Sequence, residues 1–182
     1  MRQSFPLRVV VLAALAALLA VLAPARPAAA ATDDYPWRSD TTNSNDSFGF
    51  TKRQCVSYAA WRLYKAGHRI SNRTVKDGRT YYWGNAYQWD STAAALGKPI
   101  RTYGRYGKSA PRVGSVAHWN AGETSKYYGN GWVGTYKAGS YGHVAWVAAV
   151  YSDGSVLVRQ YNGSGTRSYS TMRVKAPRYL VL

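Results

Sequence analysis

Residues 143–162 read HVAWVAAVYSDGSVLVRQYN. Two apolar runs rich in β-branched residues flank Ser152-Asp153-Gly154, a cluster suited to a hairpin turn, so 143–151 and 155–162 are expected to pair as antiparallel strands. Outward from this hairpin, 113–119 (VGSVAHW) reads as a preceding strand, and 168–174 and 178–182 as two following ones. The stretch 120–142 (NAGETSKYYGNGWVGTYKAGSYG) between them reads as a long polar loop. Upstream the period changes. In 51–66 (TKRQCVSYAAWRLYKA), Val56, Ala59, Ala60 and Leu63 fall at i, i+3, i+4 and i+7, the stripe of a helix. Thr51 and Gln54 have capping-box spacing and Gly67 supplies a stop, which puts Cys55 in the first turn. A second helix is expected over 86–96, with Asn85 as N-cap, Gly97 as stop and Ala86, Trp89, Ala93 and Leu96 on its apolar face. The Arg- and aromatic-rich stretch 69–84 between the helices reads as a loop. Helices first and an antiparallel meander after make an α+β domain, its N-terminal helices packed on the sheet.

The ends of the chain read differently. Arg2 and Arg8 precede an apolar run over 9–23, and Ala28-Ala29-Ala30 offers a small-residue cleavage site, so 1–30 is expected to be a secretory signal peptide. Residues 31–47 are expected to form an extended N-terminal segment, and 48–182 the working domain. Three of the 24 basic residues (Arg2, Arg8, Arg26) precede that cleavage point and none of the eight acids does; 21 bases against eight acids leave +13. A field of that sign attracts polyanions such as wall polymers, or simply keeps an exported domain soluble.

Cys55 is the single cysteine of 182 residues. In an oxidising compartment it has no partner within the chain, so it is inert and buried, paired between chains, or reactive. A thiolate is the nucleophilic form, and a helix N-terminus beside a histidine favours it. Three histidines are available. His68 follows the helix stop, His118 alternates inside a strand, and His143 opens a strand directly after Gly142, at a junction of the kind where sites form. The isolated histidines and lone cysteine lack zinc spacing, and the acids lack calcium-loop periodicity.

In order along the chain, QCVSYAAWRL (54–63), GNAYQWDSTAAALG (84–97), PRVGSVAHW (111–119), GHVAWVAAV (142–150) and VRQYN (158–162) resemble the CHAP family of cysteine, histidine-dependent amidohydrolases/peptidases. That family has a papain-like core, and the likeness covers most of 48–182. The NlpC-type endopeptidases share the architecture. The resemblance implies Cys55 as nucleophile and His143 as base. The family commonly has an acid at the position of Gln160 and an asparagine at that of Asn162. Here the first is glutamine, and either Gln160 or Asn162 is expected to orient His143, a role that a neutral amide can fill. Gln54 is a candidate oxyanion donor, although the capping box competes for its amide.

Strand register bears on this. A two-residue Asp153-Gly154 turn pairs residues whose numbers sum to 307, placing Gln160 and Asn162 on the face of His143; a three-residue loop with a bulge shifts the sum by one and moves both amides away. Val156, Leu157 and Val158 are apolar on both faces and leave the two registers open. Tyr58, Trp61 and Trp119, with Trp132 and Trp146, are candidates to line a substrate groove or to fill the core.

The expectation is therefore a secreted, extracellular or wall-associated hydrolase that cuts an amide bond of peptidoglycan, as an N-acetylmuramoyl-L-alanine amidase or a peptide-bridge endopeptidase. It would act as a monomer with no cofactor and no metal, attracted to anionic wall polymers, with no sequence-specific nucleic-acid partner and no membrane span after signal cleavage. The alternative is a catalytically inactive cationic module on the same fold that binds cell wall or other polyanions.

Overall fold

A computed structural model describes residues 32–102 and 111–182. The expected signal peptide lies outside them, as does Ala31 of the N-terminal segment. Helix α1 spans Cys55–Lys65 and buries Val56, Tyr58, Ala59, Ala60 and Leu63, the stripe that its spacing dictates. It starts four residues later than expected. Arg53 has φ 59° and the N-cap Gln54 is extended, so the chain enters the helix through a sharp turn. The expected capping box is absent, because the Gln54 side chain makes no cap hydrogen bond. Cys55 thereby becomes the first helical residue. At the other end Gly67, with φ 88°, donates to Tyr64 O while His68 N–H donates to Leu63 O, the paired closing bonds of a Schellman stop.

The loop expected at 69–84 contains a hairpin, β1 Arg73–Lys76 and β2 Arg79–Tyr82. Asp77 and Gly78 both have positive φ, 51° and 72°, the geometry of a two-residue hairpin turn. Its strands lack alternating apolar residues, which is why the periodicity missed them. The second helix is divided into a 3-10 turn, Ala86–Gln88, and α2, Trp89–Ala95.

The remaining strands are β3 Ile100–Thr102, β4 Val116–Trp119, β5 Thr124–Tyr128, β6 Val133–Lys137, β7 His143–Val150, β8 Val156–Tyr161, β9 Tyr169–Lys175 and β10 Arg178–Leu180. Among the described residues they form one eight-stranded sheet in the order β3-β10-β4-β7-β8-β9-β5-β6, antiparallel at every pairing. The expected polar loop at 120–142 is thus the β5–β6 hairpin that ends the sheet. The sheet curls. Trp119 of β4 and Tyr136 of β6 stand far apart in strand order, yet their ring centroids are 5.3 Å apart and Trp119 Nε1 donates to Ser125 Oγ at 2.9 Å.

Curling makes two apolar clusters. One face of the sheet presents Val144, Trp146, Tyr161 and Leu180 to α1 and α2; the other presents Ala145, Val147, Val158, Met172 and Val174 to the inside of the curl. Each fully buried aliphatic side chain of this kind contributes about 1.5–3 kcal/mol. The N-terminal segment joins the first cluster: Tyr35 is buried there, and its hydroxyl meets Ser57 Oγ of α1, which also donates to Asp46.

Neither expected register of the β7–β8 hairpin holds throughout. Next to the three-residue loop the pairs are Val150↔Val156 and Ala149↔Leu157; beyond an irregularity at Ala148 they are Val147↔Val158 and Trp146↔Arg159. A bulge of one residue lowers the sum from 306 to 305. The first sum would turn Gln160 away from His143. The second has the parity of 307, so the bulge returns Gln160 to the face shared by His143, Ala145 and Val147.

Candidate active site

Cys55 is partly exposed at the tip of α1. Two influences act on its thiol. Burial raises the pKa and is the larger, while the backbone amides of Val144, Val56 and Cys55 itself point at the sulfur and lower it. Val144 is the residue after His143, so the helix tip and the start of β7 meet at this sulfur.

His143 reaches that position because Gly142 precedes it. Gly142 has φ 70°, and a Cβ there would stand 2.6 Å from the Trp119 carbonyl oxygen and 2.8 Å from Tyr87 N. A side chain would force β7 away from β4 and the 3-10 turn. The imidazole is 3 % exposed, with the rings of Trp119 and Tyr136 each centred 5.7 Å away. Its Nε2 lies 2.8 Å from Gln160 Oε1, and Gln160 Nε2 donates to Ser170 Oγ at 3.2 Å. With the Gln160 amide held that way round, its oxygen accepts from His143 Nε2–H, leaving Nδ1 as the bare, basic nitrogen. Burial pushes the imidazole down to about 4; the Gln160 hydrogen bond opposes this, and the charge of His118 adds to it. Burial thus favours a neutral thiol and a neutral imidazole at rest, against the thiolate that a helix N-terminus beside a histidine would favour.

The two candidate amides bind different partners. Asn162, at φ 57°, donates from Nδ2 to Gln54 Oε1 at 2.6 Å and accepts Arg167 N–H on Oδ1 at 2.8 Å. Gln160 therefore touches the imidazole and Asn162 touches Gln54. Free of the capping box and gripped at its oxygen, Gln54 keeps its NH2 group as a hydrogen-bond donor.

The groove residues suggested by composition fall elsewhere. Tyr58, Trp61 and Trp146 are buried in the cluster beneath α1, and Trp119 is buried behind His143. All four are packing residues. Trp132 is exposed, stacked edge-on against Tyr127 at 5.0 Å on the β5–β6 hairpin. Among the described residues the groove at Cys55 has two lobes that share Gln54, Cys55 and Tyr141. One, of about 420 Å³, is walled by Asn45, Asn72, Asn85 and Gln88; the other, of about 440 Å³, by Tyr136, Lys137, His143, Asn162 and Ser164.

Three further contributors are absent from the sequence-based expectation. They are Ser170, the Val144 amide and Gly163, where a Cβ would come within 2.8 Å of Gln160 Cδ. Glycine spacing was the available signal for the last. His118 is buried and serves structure: it bonds the Ala86 carbonyl at 2.8 Å and meets Arg178, which is paired with Glu123. His68 is exposed. Among the described residues no group of three His, Cys, Asp or Glu side chains could hold a metal, and no helix is long and apolar enough to cross a membrane.

Residues 45–162 match the CHAP domain. The chain is 35 % identical over 132 residues to the N-acetylmuramoyl-L-alanine amidase Sle1 of Staphylococcus epidermidis, a match covering 72 % of this chain and 30 % of that one. It is 30 % identical over 150 residues to Sle1 of Staphylococcus aureus strain RF122, covering 78 % and 37 %. The chain thus spans about a third of the length of these relatives. A crystal structure of an N-acetylmuramoyl-L-alanine amidase from Staphylococcus aureus superposes with a TM-score of 0.54 at 24 % identity, covering 82 % of this chain and 37 % of the other, a likeness of fold.

Proposed function

Starting from the fact that this chain belongs to the CHAP domain family, we propose that it is an exported hydrolase of bacterial peptidoglycan that cleaves an amide bond through a Cys55 thioester. The observation that bears most weight is the His143–Gln160 bond of 2.8 Å, which leaves Nδ1 basic at the strand start whose next amide touches the Cys55 sulfur.

The steps follow from these groups. His143 Nδ1 takes the thiol proton as Sγ attacks the carbonyl carbon, so the neutral resting pair becomes imidazolium and carbon-bound sulfur, with the negative charge on the former carbonyl oxygen. The developing oxyanion receives the Cys55 N–H at the helix tip and the Gln54 amide NH2. His143 then gives its proton to the departing amine nitrogen, the C–N bond breaks, and the acyl group remains on sulfur as a thioester. A water molecule, deprotonated by the same Nδ1, attacks the thioester; the carboxylic acid leaves and the thiol regains its proton. Gln160 accepts from Nε2–H throughout and fixes the ring; being neutral, it stabilises the imidazolium less than a carboxylate would.

The names of the matched relatives favour the muramoyl–alanine bond over a peptide bridge. Export, an extracellular or wall-associated location and attraction to anionic wall polymers agree with the leader and the net charge of the remainder. The test is digestion of purified peptidoglycan by the mature protein and by Cys55→Ala, with mass analysis of the fragments. The wild type should release unsubstituted glycan and free stem peptide, and the variant nothing. The second reading, an inactive wall-binding module, draws on the neutral partner of His143 and on burial of the thiol. It rests on the raised pKa of a thiol that is itself partly exposed, and it requires both proteins to sediment with walls and neither to release fragments.

A further inference from the structure

The groove is chemically unequal on the two sides of Cys55. Apart from the shared residues, the polar residues lining one lobe are Asn45, Thr51, Asn72, Asn85 and Gln88, and among the described residues no charged one lines it. The other contains Lys137, exposed and without an acidic partner among the described residues, together with Ser140 and Ser164. His143 lines only this second lobe. The group that protonates the leaving amine must reach its nitrogen. The amine half of the substrate therefore occupies the Lys137 lobe, and the acyl half the carboxamide lobe.

The two halves of a muramoyl–alanine amide differ in the same sense as the two lobes. The acyl half is an uncharged N-acetylated amino sugar, whose hydroxyl and acetamido groups match carboxamides as donors and acceptors without burying a charge. The amine half is a peptide with free carboxylates, which an ammonium attracts. We infer that the carboxamide lobe is the sugar subsite and that the Lys137 lobe is the stem-peptide subsite, with Lys137 meeting a peptide carboxylate. This rests on the amide-hydrolase reading above and deepens it. A bond inside a peptide bridge would place peptide on both sides of Cys55 and leave the inequality of the two lobes without a counterpart in the substrate.

The test compares native peptidoglycan with the same preparation after conversion of its carboxylates to carboxamides. The readout is the initial release of stem peptide, expressed as the ratio of the two rates. An exposed ion pair at low salt supports about a two- to fivefold preference for native material. Lys137→Gln should bring the ratio to about one and Lys137→Glu below one. Lys98→Gln, the same charge change at an exposed residue that lines neither lobe, should keep the wild-type ratio. The inference is overturned if Lys137→Gln keeps the preference, if Lys98→Gln loses as much of it, or if the wild type shows none. Failure of the wild type to release peptide from native material would instead remove the proposed function itself.

Discussion

Replacing Gln160 by Glu introduces the acid that the CHAP resemblance implies at this position and should move the pH dependence of the proposed hydrolysis upward. The side chains have the same shape, and Ser170 Oγ, now a hydrogen-bond acceptor, can rotate to donate to the new carboxylate. In the wild type the imidazole is held down to about 4 by burial, and the neutral Gln160 amide opposes this only in part. A carboxylate at the Gln160 position, whose oxygen is 2.8 Å from Nε2, interacts with the imidazolium by about 4 kcal/mol at an effective dielectric of 20 and about 4 Å between charge centres. Desolvation of the new carboxylate offsets part of this. The net expectation is a rise of about 1–3 pKa units, the range for an opposite charge this close.

In kcat/KM against pH on purified peptidoglycan, the wild-type acid limb should lie near pH 4 and that of Gln160→Glu at about pH 5–7. Alkylation of Cys55 by iodoacetamide at pH 6 should be faster in the variant, because its thiolate–imidazolium pair is better stabilised. Stability follows the same shift. A histidine at about 4 folded and 6.5 unfolded binds fewer protons in the native state, so its contribution is present above pH 6.5 and lost as pH falls to 4. At 1.36 kcal/mol per unit the loss is about 3 kcal/mol, and Gln160→Glu should shrink it. A wild-type acid limb at 6.5, or one that Gln160→Glu leaves within half a unit, would refute the burial argument.

Asn162→Ala should lower kcat by about ten- to a hundredfold without moving the acid limb, because it releases the Gln54 donor and leaves the imidazole bond intact. The split between rate and pH profile separates Asn162 from Gln160. Gly142→Ala should cost at least about 1–3 kcal/mol in urea unfolding, from positive φ and the close Trp119 and Tyr87 backbone; an unchanged midpoint would count against the placement of His143. Gly163→Ala meets only the movable Gln160 amide, so the melting temperature should hold within a few degrees while kcat falls about tenfold. Equal losses of stability and rate would point to a structural role instead.

Much of the candidate site is legible in the sequence because its signals are local. A helical stripe beginning at Val56 put Cys55 in the first turn, and a Gly before an apolar strand put His143 at a sheet rim. The hairpins β1–β2 and β5–β6 carry no such local signal. Their strands are short and largely polar, with no clear alternation, and the Asp77-Gly78 turn was the one strong clue. Aromatic side chains misled in the other direction. Tyr58, Trp61 and Trp119 have the composition of a sugar-stacking groove, but the curled sheet and α1 surround them, and burying large rings stabilises a small core more than exposing them.

From the linear order alone come the α+β class, the hairpin after position 143 and a thiol at a helix tip, since each depends on spacing within a few residues. The assignment of partners was settled only in three dimensions. The one-residue bulge at Ala148 decides which face Gln160 occupies, in strands apolar on both sides. Gln54 and Asn162 meet across 108 positions, a pairing that no local period encodes. Desolvation of His143 likewise arises from β4 and β6, strands far apart in the sheet order, closing around one ring.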